Sequence, residues 1–219
     1  MKAFIIFSGL MFCLSLKSQT KAFEQTPSNF TITKDHEATF DLGAFYTPLI
    51  STNAYGLNTD LKFYPYKRFA TGFCASITNK KINKTFQYTI GQPVLSYYEF
   101  GWINQYDILQ KDRIRIGLNV NNCIAFSQLG DNNIKEKYYA KYGVQEKAKT
   151  ISNNYFYLLE PGLDMNIRLF SNKHDPDFYL TLKAKYRFVF GDTQYGQHSD
   201  FSNYYLGLGF SMIGLCSKK

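Results

Sequence analysis

Charged residues that alternate with apolar ones are the side chains in this sequence best placed to do chemistry. They share one face of successive extended segments: Asp60, Lys62, Glu99, Arg115, Glu160, Asp164, Arg168, Lys183, Lys185 and Arg187. The two longest segments cover residues 155–170 and 178–190, and their opposite face is wholly apolar. Alternation with period two is typical of β-strands. We therefore expect Asp164 to lie beside Lys183 or Lys185 on the neighbouring strand.

A second candidate is the run His198-Ser199-Asp200 near the end of the chain. Nucleophilic catalysis needs a histidine within hydrogen-bond reach of a hydroxyl, and a carboxylate that orients the ring. Adjacent residues in one loop rarely meet that geometry, so we expect a solvent-exposed loop and no catalytic residue. Beyond the amino terminus the cysteines are Cys74, Cys123 and Cys216. Their wide spacing matches no zinc motif or disulfide framework, although one bridge would be compatible with it, and we predict no metal and no cofactor.

The alternating pattern predicts eight strands that would position these residues. They cover roughly 38–47, 55–64, 69–78, 94–109, 113–126, 155–170, 178–190 and 204–212. The connections after the second, fourth and sixth strands are predicted to be short, and those after the first, third, fifth and seventh to be longer. The longest, residues 127–154, includes a predicted helical piece around Asn133 to Tyr142. Pro161 lies inside a predicted strand and suggests a bulge near its outer end.

The two faces of these strands distinguish a soluble sheet from a membrane barrel. A soluble sheet buries its apolar face, whereas a transmembrane barrel turns that face to lipid and keeps its charges inside. Longer loops on one side and short turns on the other are typical of outer-membrane barrels. The sequence therefore predicts an all-β fold, an eight-stranded antiparallel up-and-down transmembrane β-barrel after a cleaved signal peptide. Aromatic residues at the strand ends would form interfacial girdles: Tyr46, Phe63, Tyr64, Tyr66, Phe69, Tyr155, Tyr157, Phe170, Phe178, Phe190 and Tyr204.

The amino terminus has the pattern of a secretory signal. Lys2 supplies a positive charge, residues 3–16 are apolar, and cleavage is expected after Ser18. A membrane anchor helix is the alternative, but this apolar run is short for a span. Residues 1–18 are thus predicted to be the signal peptide, residues 19–37 a periplasmic linker, and residues 38–216 the barrel.

The net charge of +8 at pH 7 bears on the choice of partner. The cations are scattered through strands and loops without a recognition motif, which argues against nucleic acid. A basic exported protein instead meets anionic lipid or polysaccharide. The predicted partners are outer-membrane lipid and lipopolysaccharide, together with an extracellular ligand that the sequence does not identify, and a monomer is expected.

The region from Ala38 to Leu215 resembles a known family. Its tyrosine-rich strands, the expected Gln19 amino terminus and the run Tyr204-Tyr205-Leu206-Gly207-Leu208-Gly209-Phe210 resemble small eight-stranded outer-membrane β-barrel proteins, in particular the Bacteroidetes outer-membrane beta-barrel domain type. Such barrels commonly end on an aromatic residue, whereas this chain ends Leu215-Cys216-Ser217-Lys218-Lys219. The resemblance implies a location in the bacterial outer membrane. Lipid A deacylases are similar in barrel size, but their His-x-Ser-Asn motif is not matched, because Asp200 stands two residues after His198.

These observations lead to an expected function without a named activity. Eight strands leave an interior just wide enough for side chains to fill, and buried charges are tolerated when they are paired. We expect a charged, side-chain-filled lumen and a structural or surface-interaction role, with the binding surface on loops 79–93 and 127–154. Three alternatives stay open: a lipid-A-modifying acyl hydrolase that uses the last outer loop, a narrow pore, and a soluble lipocalin-like binding barrel with its faces reversed.

Overall fold

A computed structural model describes residues 32–82, 86, 89–111, 113–140, 143–171 and 176–214. The predicted signal peptide and most of the predicted linker lie outside these ranges. The elements in chain order are β1 (Ile32–Leu49), β2 (Thr52–Tyr66), β3 (Phe69–Lys81), β4 (Pro93–Lys111), β5 (Ile114–Ala140), β6 (Gly143–Phe170), β7 (Asp177–Tyr186), β8 (Phe188–Phe190), α1 (His198–Phe201) and β9 (Tyr204–Ile213). Within the described ranges, no helical segment has the length and apolar character needed to traverse a bilayer.

The strands form one closed antiparallel ring. Their order is β5-β4-β3-β2-β1-β9-β7-β6-β8, and a further pairing between β5 and β6 closes the sheet. β7 and β8 are two parts of one strand that is interrupted at Arg187, because Lys185 and Phe190 pair with Gly162 and Tyr157 of β6 in the same register. Counted with β7 and β8 as one, the ring has eight strands. The predicted up-and-down all-β class is confirmed.

The two faces of the ring differ as the sequence pattern predicts. Ile124, Phe100 and Phe210 are 68%, 61% and 61% exposed on the outside, whereas Asp164 and Arg187 are fully buried on the inside. Asn104 is a polar residue on the outer face, and β3 and β4 pair through it without a register shift. Its side-chain oxygen accepts hydrogen bonds from Thr71 Oγ1 at 2.9 Å and Trp102 Nε1 at 3.3 Å. These two donors satisfy the amide oxygen of Asn104 on the apolar outer face of the barrel.

The first outer connection is shorter than the sequence predicts. β1 continues past Pro48 to Leu49, and β2 begins at Thr52, so only two residues make the turn. Ile50 and Ser51 have φ angles of 51° and 57°, the left-handed conformation that two-residue hairpin turns require. The prediction of a longer loop here was wrong, because Pro48 pairs with Asn53 instead of ending the strand.

The longest predicted loop is in fact a β-ribbon. β5 and β6 have 27 and 28 residues and stay paired as far as Ala140 and Gly143. The predicted helical piece around 133–142 was wrong. Its alternating charges instead serve cross-strand pairing, with Glu136 opposite Lys147 and Lys137 opposite Glu146.

Two further sequence predictions need correction. Tyr64 is buried inside the ring and donates a hydrogen bond to Asp107 Oδ2 at 3.1 Å, so it does not belong to an interfacial girdle. Pro161 sits in register opposite Val120 of β5, and no bulge occurs there. The strand facing Pro161 on its other side is the one that breaks at Arg187, which is where β7 and β8 separate.

Candidate functional site

The lumen contains a first group of five charged residues, here called the Lys62 cluster: Asp41, Asp60, Lys62, Asp164 and Lys183. The ammonium of Lys62 lies 2.9 Å from Asp41 Oδ2 and 3.3 Å from Asp164 Oδ2. The ammonium of Lys183 lies 3.1 Å from Asp41 Oδ2 and 2.5 Å from Asp60 Oδ2. Each of these residues is at most 5% exposed. The cluster connects strands on opposite walls, so it fills the width of the barrel.

A second group, here called the Arg187 cluster, contains Glu99, Glu160 and Arg187. The guanidinium donates from Nε to Glu160 Oε1 at 2.7 Å and from Nη2 to Glu99 Oε2 at 2.8 Å. It also lies over the rings of Tyr97 and Tyr205, at 5.1 and 5.9 Å from their centroids. Arginine suits this position because its planar fork can serve two carboxylates and stack on aromatic rings together.

The other predicted members of the charge set occupy different surroundings. Lys185 is buried between the two clusters, with its ammonium 5.2 Å from the Tyr205 ring centroid. Arg115 and Arg168 are half-buried at the end of the barrel that holds the short turns. They pair with Glu37 at 2.5 Å and Asp177 at 3.5 Å, respectively. The structure therefore brings eight of the ten predicted residues into the middle of the lumen and places two at its rim.

Strand pairing and ion pairing do not coincide in the Lys62 cluster. Asp164 lies directly opposite Lys183 in the ladder, as the sequence predicts. Its ion pair, however, reaches across the lumen to Lys62 of β2. Asp41 was missed as a partner, although its Oδ2 forms ion pairs with both lysines of the cluster. The alternation in β1 identifies Asp41 as inward-facing, but the pattern of one strand cannot tell which side chains meet across a barrel.

The outer half of the lumen is apolar, which sequence analysis also missed. The loop 191–203 folds back over the mouth and, with the side chains that it covers, forms what we call the outer cap. Phe201 of α1 is fully buried, with its ring centroid 4.6 Å from Phe156 and 6.1 Å from Tyr195. The cap also packs with the following buried residues: Leu49, Ile50, Ile82, Leu95, Leu129, Leu158 and Val189.

Hydrogen bonds attach the cap to the strands below it. The backbone N–H of Ile50 donates to Asp200 O at 2.8 Å. Asn154 holds the loop twice, since its amide donates to Tyr195 O at 3.0 Å and its oxygen accepts from Gln194 N at 2.6 Å. Tyr195 forms a further hydrogen bond with Ser127 through its hydroxyl. Burial raises the pKa of Tyr195 above its ordinary value, so this residue stays neutral.

The geometry of the last loop does not assemble a catalytic triad. The ring Nε2 of His198 donates to the backbone oxygen of Gly191 instead of contacting Ser199. The Asp200 carboxylate accepts from Gln197 N at 2.8 Å, as part of a capping arrangement for α1. Both side chains therefore stabilise the fold of the loop.

Two groups of described residues offer possible metal ligands. One comprises Asp41, Asp60 and Asp164, and the other Glu99, Cys123 and Glu160. In the first group two lysine ammoniums already supply the positive charge. The second group has only one cation in direct contact, Arg187.

Comparison with known proteins identifies structural neighbours only. No protein-family model and no curated protein matches the sequence. Ail, the attachment invasion locus protein of Yersinia pestis, solved in complex with the heparin analogue sucrose octasulfate, has a TM-score of 0.49 and 10% identity, over 82% of this chain and 99% of Ail. Neisserial surface protein A has a TM-score of 0.46 and 10% identity, over 82% of this chain and 96% of that one. The N-terminal β-barrel domain of Pseudomonas aeruginosa OprF has a TM-score of 0.44 and 8% identity, over 82% and 97%.

All three similarities have TM-scores below 0.5, so the fold class rests on the strand pairing of this chain. The location in the bacterial outer membrane stays a prediction from the sequence. The narrower resemblance to the Bacteroidetes type stays a prediction.

Proposed function

We propose that this protein is a closed, non-conducting outer-membrane barrel with a surface-interaction role, exercised by the β-ribbon that residues 132–140 of β5 and 143–148 of β6 form. The observation that carries the proposal is the continued pairing of β5 and β6 beyond their neighbours. β4 stops at Pro93, opposite Asp131, and β8 stops at Phe190, opposite Tyr157. The ribbon therefore stands out from the barrel, on the same side as the outer cap.

The base of the ribbon is anchored to the neighbouring loop. Both carboxylate oxygens of Asp131 accept backbone hydrogen bonds, from Gly91 and Gln92 at 3.0 Å and from Asn133 at 2.9 Å. This arrangement fixes residues 91 and 92 against the base of the ribbon. The two outer segments predicted to form the binding surface thus meet at Asp131.

The charge of the ribbon suggests the class of partner. Among the described side chains at its base, lysines outnumber acidic residues by one: Lys135, Lys137, Lys147 and Lys149 against Asp131, Glu136 and Glu146. Lys137 and Glu146 form an exposed pair at 4.0 Å. A surface with excess ammonium groups attracts phosphate and carboxylate groups through a field that salt screens. We propose the anionic sugar and phosphate groups of lipopolysaccharide as the partner.

Shortening the ribbon tests this role. We expect a variant in which Asn-Gly replaces residues 132–148, so that a two-residue turn joins Asp131 to Lys149, to keep the barrel intact. It should lose salt-sensitive binding to vesicles that contain lipopolysaccharide, measured by co-flotation. Heat-modifiable migration on a gel serves as the folding control.

A pair of charge variants separates charge from shape. Changing the four lysines at positions 135, 137, 147 and 149 to glutamine should weaken binding, whereas changing Glu136 and Glu146 to glutamine should strengthen it. Equal binding by both variants and by the shortened ribbon would refute the proposed partner.

The absence of a conducting path is a second expectation. The Lys62 and Arg187 clusters fill the middle of the lumen, and the outer cap covers its mouth. Both would block the passage of ions through the barrel. We expect folded protein in planar lipid bilayers to give no stepwise current, with heat-modifiable migration of the same sample proving that it is folded. Discrete, reproducible conductance steps would overturn the closed-barrel proposal and favour the narrow pore.

A further inference from the structure

Two cysteines that are far apart in sequence lie together inside the barrel. Cys74 of β3 and Cys123 of β5 are both buried, and their sulfur atoms are 3.5 Å apart. Gly101 of β4 lies between them, since it pairs with Cys74 on one side and Cys123 on the other. A Cβ atom at residue 101 would come within 2.5 Å of Cys123 Sγ. The glycine therefore leaves the space in which the two thiols meet.

The backbone spacing disfavours a disulfide between these cysteines. Neighbouring strands lie about 4.8 Å apart, so residues level with each other on β3 and β5 are separated by roughly 9 Å. A disulfide requires Cα atoms closer than about 7 Å unless the backbone moves. The sulfur separation instead suits a pair of metal ligands, because two thiolates on one tetrahedral zinc ion stand about 3.7 Å apart.

Two carboxylates lie close to Cys123. One oxygen of Glu99, one of Glu160 and the sulfur of Cys123 all lie within 4.8 Å of one another, whereas Cys74 stands outside this group and contacts it through Cys123. A further acceptor lies next to them. The side-chain oxygen of Asn121 is buried and has no hydrogen-bond partner among the described residues, while its amide lies 3.4 Å from Glu160 Oε2. A buried acceptor normally has a partner, and beside thiols and carboxylates a cation or a hydrogen-bond donor would satisfy it.

We propose that Cys123, Glu99 and Glu160 bind a divalent metal ion of the zinc class inside the lumen, and that Cys74, whose sulfur lies 3.5 Å from that of Cys123, turns toward the ion as the fourth ligand. Mixed sulfur and carboxylate ligands favour zinc over calcium or magnesium, which prefer oxygen alone. Binding converts two thiols to thiolates and releases two protons as one divalent ion enters. The net charge buried in the lumen therefore does not change. Each glutamate has two oxygens, so each can bind the ion through one and Arg187 through the other. The inference is independent of the role proposed for the ribbon.

Metal content after folding tests this site. Because the outer cap covers the lumen, the full chain should be refolded into detergent with zinc chloride, washed with a chelator and measured by elemental mass spectrometry. We expect about one zinc ion per folded chain, as for a closed structural site. Cys74→Ser and Cys123→Ser should abolish this retention, while Cys216→Ser, which alters a residue outside the described ranges, should leave it unchanged.

A spectroscopic measurement covers the case in which a serine variant fails to fold. Cobalt(II) in place of zinc should give wild-type protein a thiolate-to-cobalt charge-transfer absorption that the Cys216→Ser variant also shows. Folded wild-type protein that holds no metal and in which Cys74 and Cys123 remain free thiols would overturn the proposal. So would a disulfide between Cys74 and Cys123, identified by a mass two hydrogens lower in the peptide pair that contains them.

Discussion

Replacing Arg187 with leucine should destabilise the barrel by about 3–5 kcal/mol, the usual cost of removing one partner from a buried ion pair. The guanidinium is fully buried and pairs with Glu160 and Glu99 at 2.7 and 2.8 Å. Without it, in metal-free protein, two carboxylates remain inside the lumen, and no described residue supplies them with another direct ion pair. The free energy of unfolding can be followed by urea titration of the refolded barrel, through the fluorescence of Trp102, its single tryptophan.

Two control variants are compared with Arg187→Leu. Lys137→Ala removes an ion pair whose side chains are 72% and 53% exposed, so we expect a change of no more than about 1 kcal/mol. Adding Glu99→Gln and Glu160→Gln to Arg187→Leu should recover much of the lost stability, because no unpaired charge then stays buried. A loss no greater than that of Lys137→Ala would mean that water reaches Arg187 and that the lumen is not closed at this level.

The architecture follows from the sequence because alternation is a local property. Whether Phe210 or Ser211 faces outward depends only on its place in a strand of period two, so each strand reports its own inner and outer faces. A transmembrane barrel satisfies both faces, because its apolar face contacts lipid and its charged face lines the lumen. The number of strands, their order around the ring and the burial of residues such as Asp164 could all be predicted in this way.

Contacts across the lumen could not be predicted, because they depend on how far each strand is staggered around the ring. Asp41 is inward by alternation, and its contact with Lys62 follows from the pairing of β1 with β2, where Lys62 stands two residues from Asp60, the ladder partner of Asp41. Its contact with Lys183 reaches two strands away, past β9, and the ion pair of Lys62 with Asp164 crosses the lumen, so neither can be predicted from one strand. The proximity of Cys74 and Cys123 has the same origin. They are 49 residues apart in sequence, and a metal-ligand search by local spacing does not detect such a pair.

The outer end of the protein was harder to predict for a different reason. Ladder pairing can continue without a buried face if cross-strand charges and backbone hydrogen bonds support it, and the segment around Lys137 does this. Its polar composition resembles that of a loop or an exposed helix. The cap could not be predicted because Phe201 and Tyr195 lie in a short polar segment. Isolated aromatic residues there show no hydrophobic periodicity from which their burial could be predicted.

The outer cap supports the second large prediction, that Phe201→Ala should cost about 3–5 kcal/mol, the range for truncating a buried phenylalanine. The ring is fully buried and packs on Phe156 and Tyr195, and the short helix α1 has too few residues to be stable alone. Its loss should release loop 191–203 and expose the bond after Tyr195. Urea unfolding and limited chymotrypsin digestion would measure the two consequences.

Ile134→Ala is a suitable control for the cap variant, because Ile134 is an apolar residue 48% exposed on the ribbon. Its replacement should change stability by no more than about 0.5 kcal/mol. If Phe201→Ala matched this control in stability and left the bond after Tyr195 resistant, the cap would not depend on the apolar packing of α1. Its hydrogen bonds from Ile50 and Asn154 would then be sufficient to hold the loop. The expected result, a cleavable loop on a destabilised but folded barrel, would establish that closure of the outer mouth relies on one aromatic side chain.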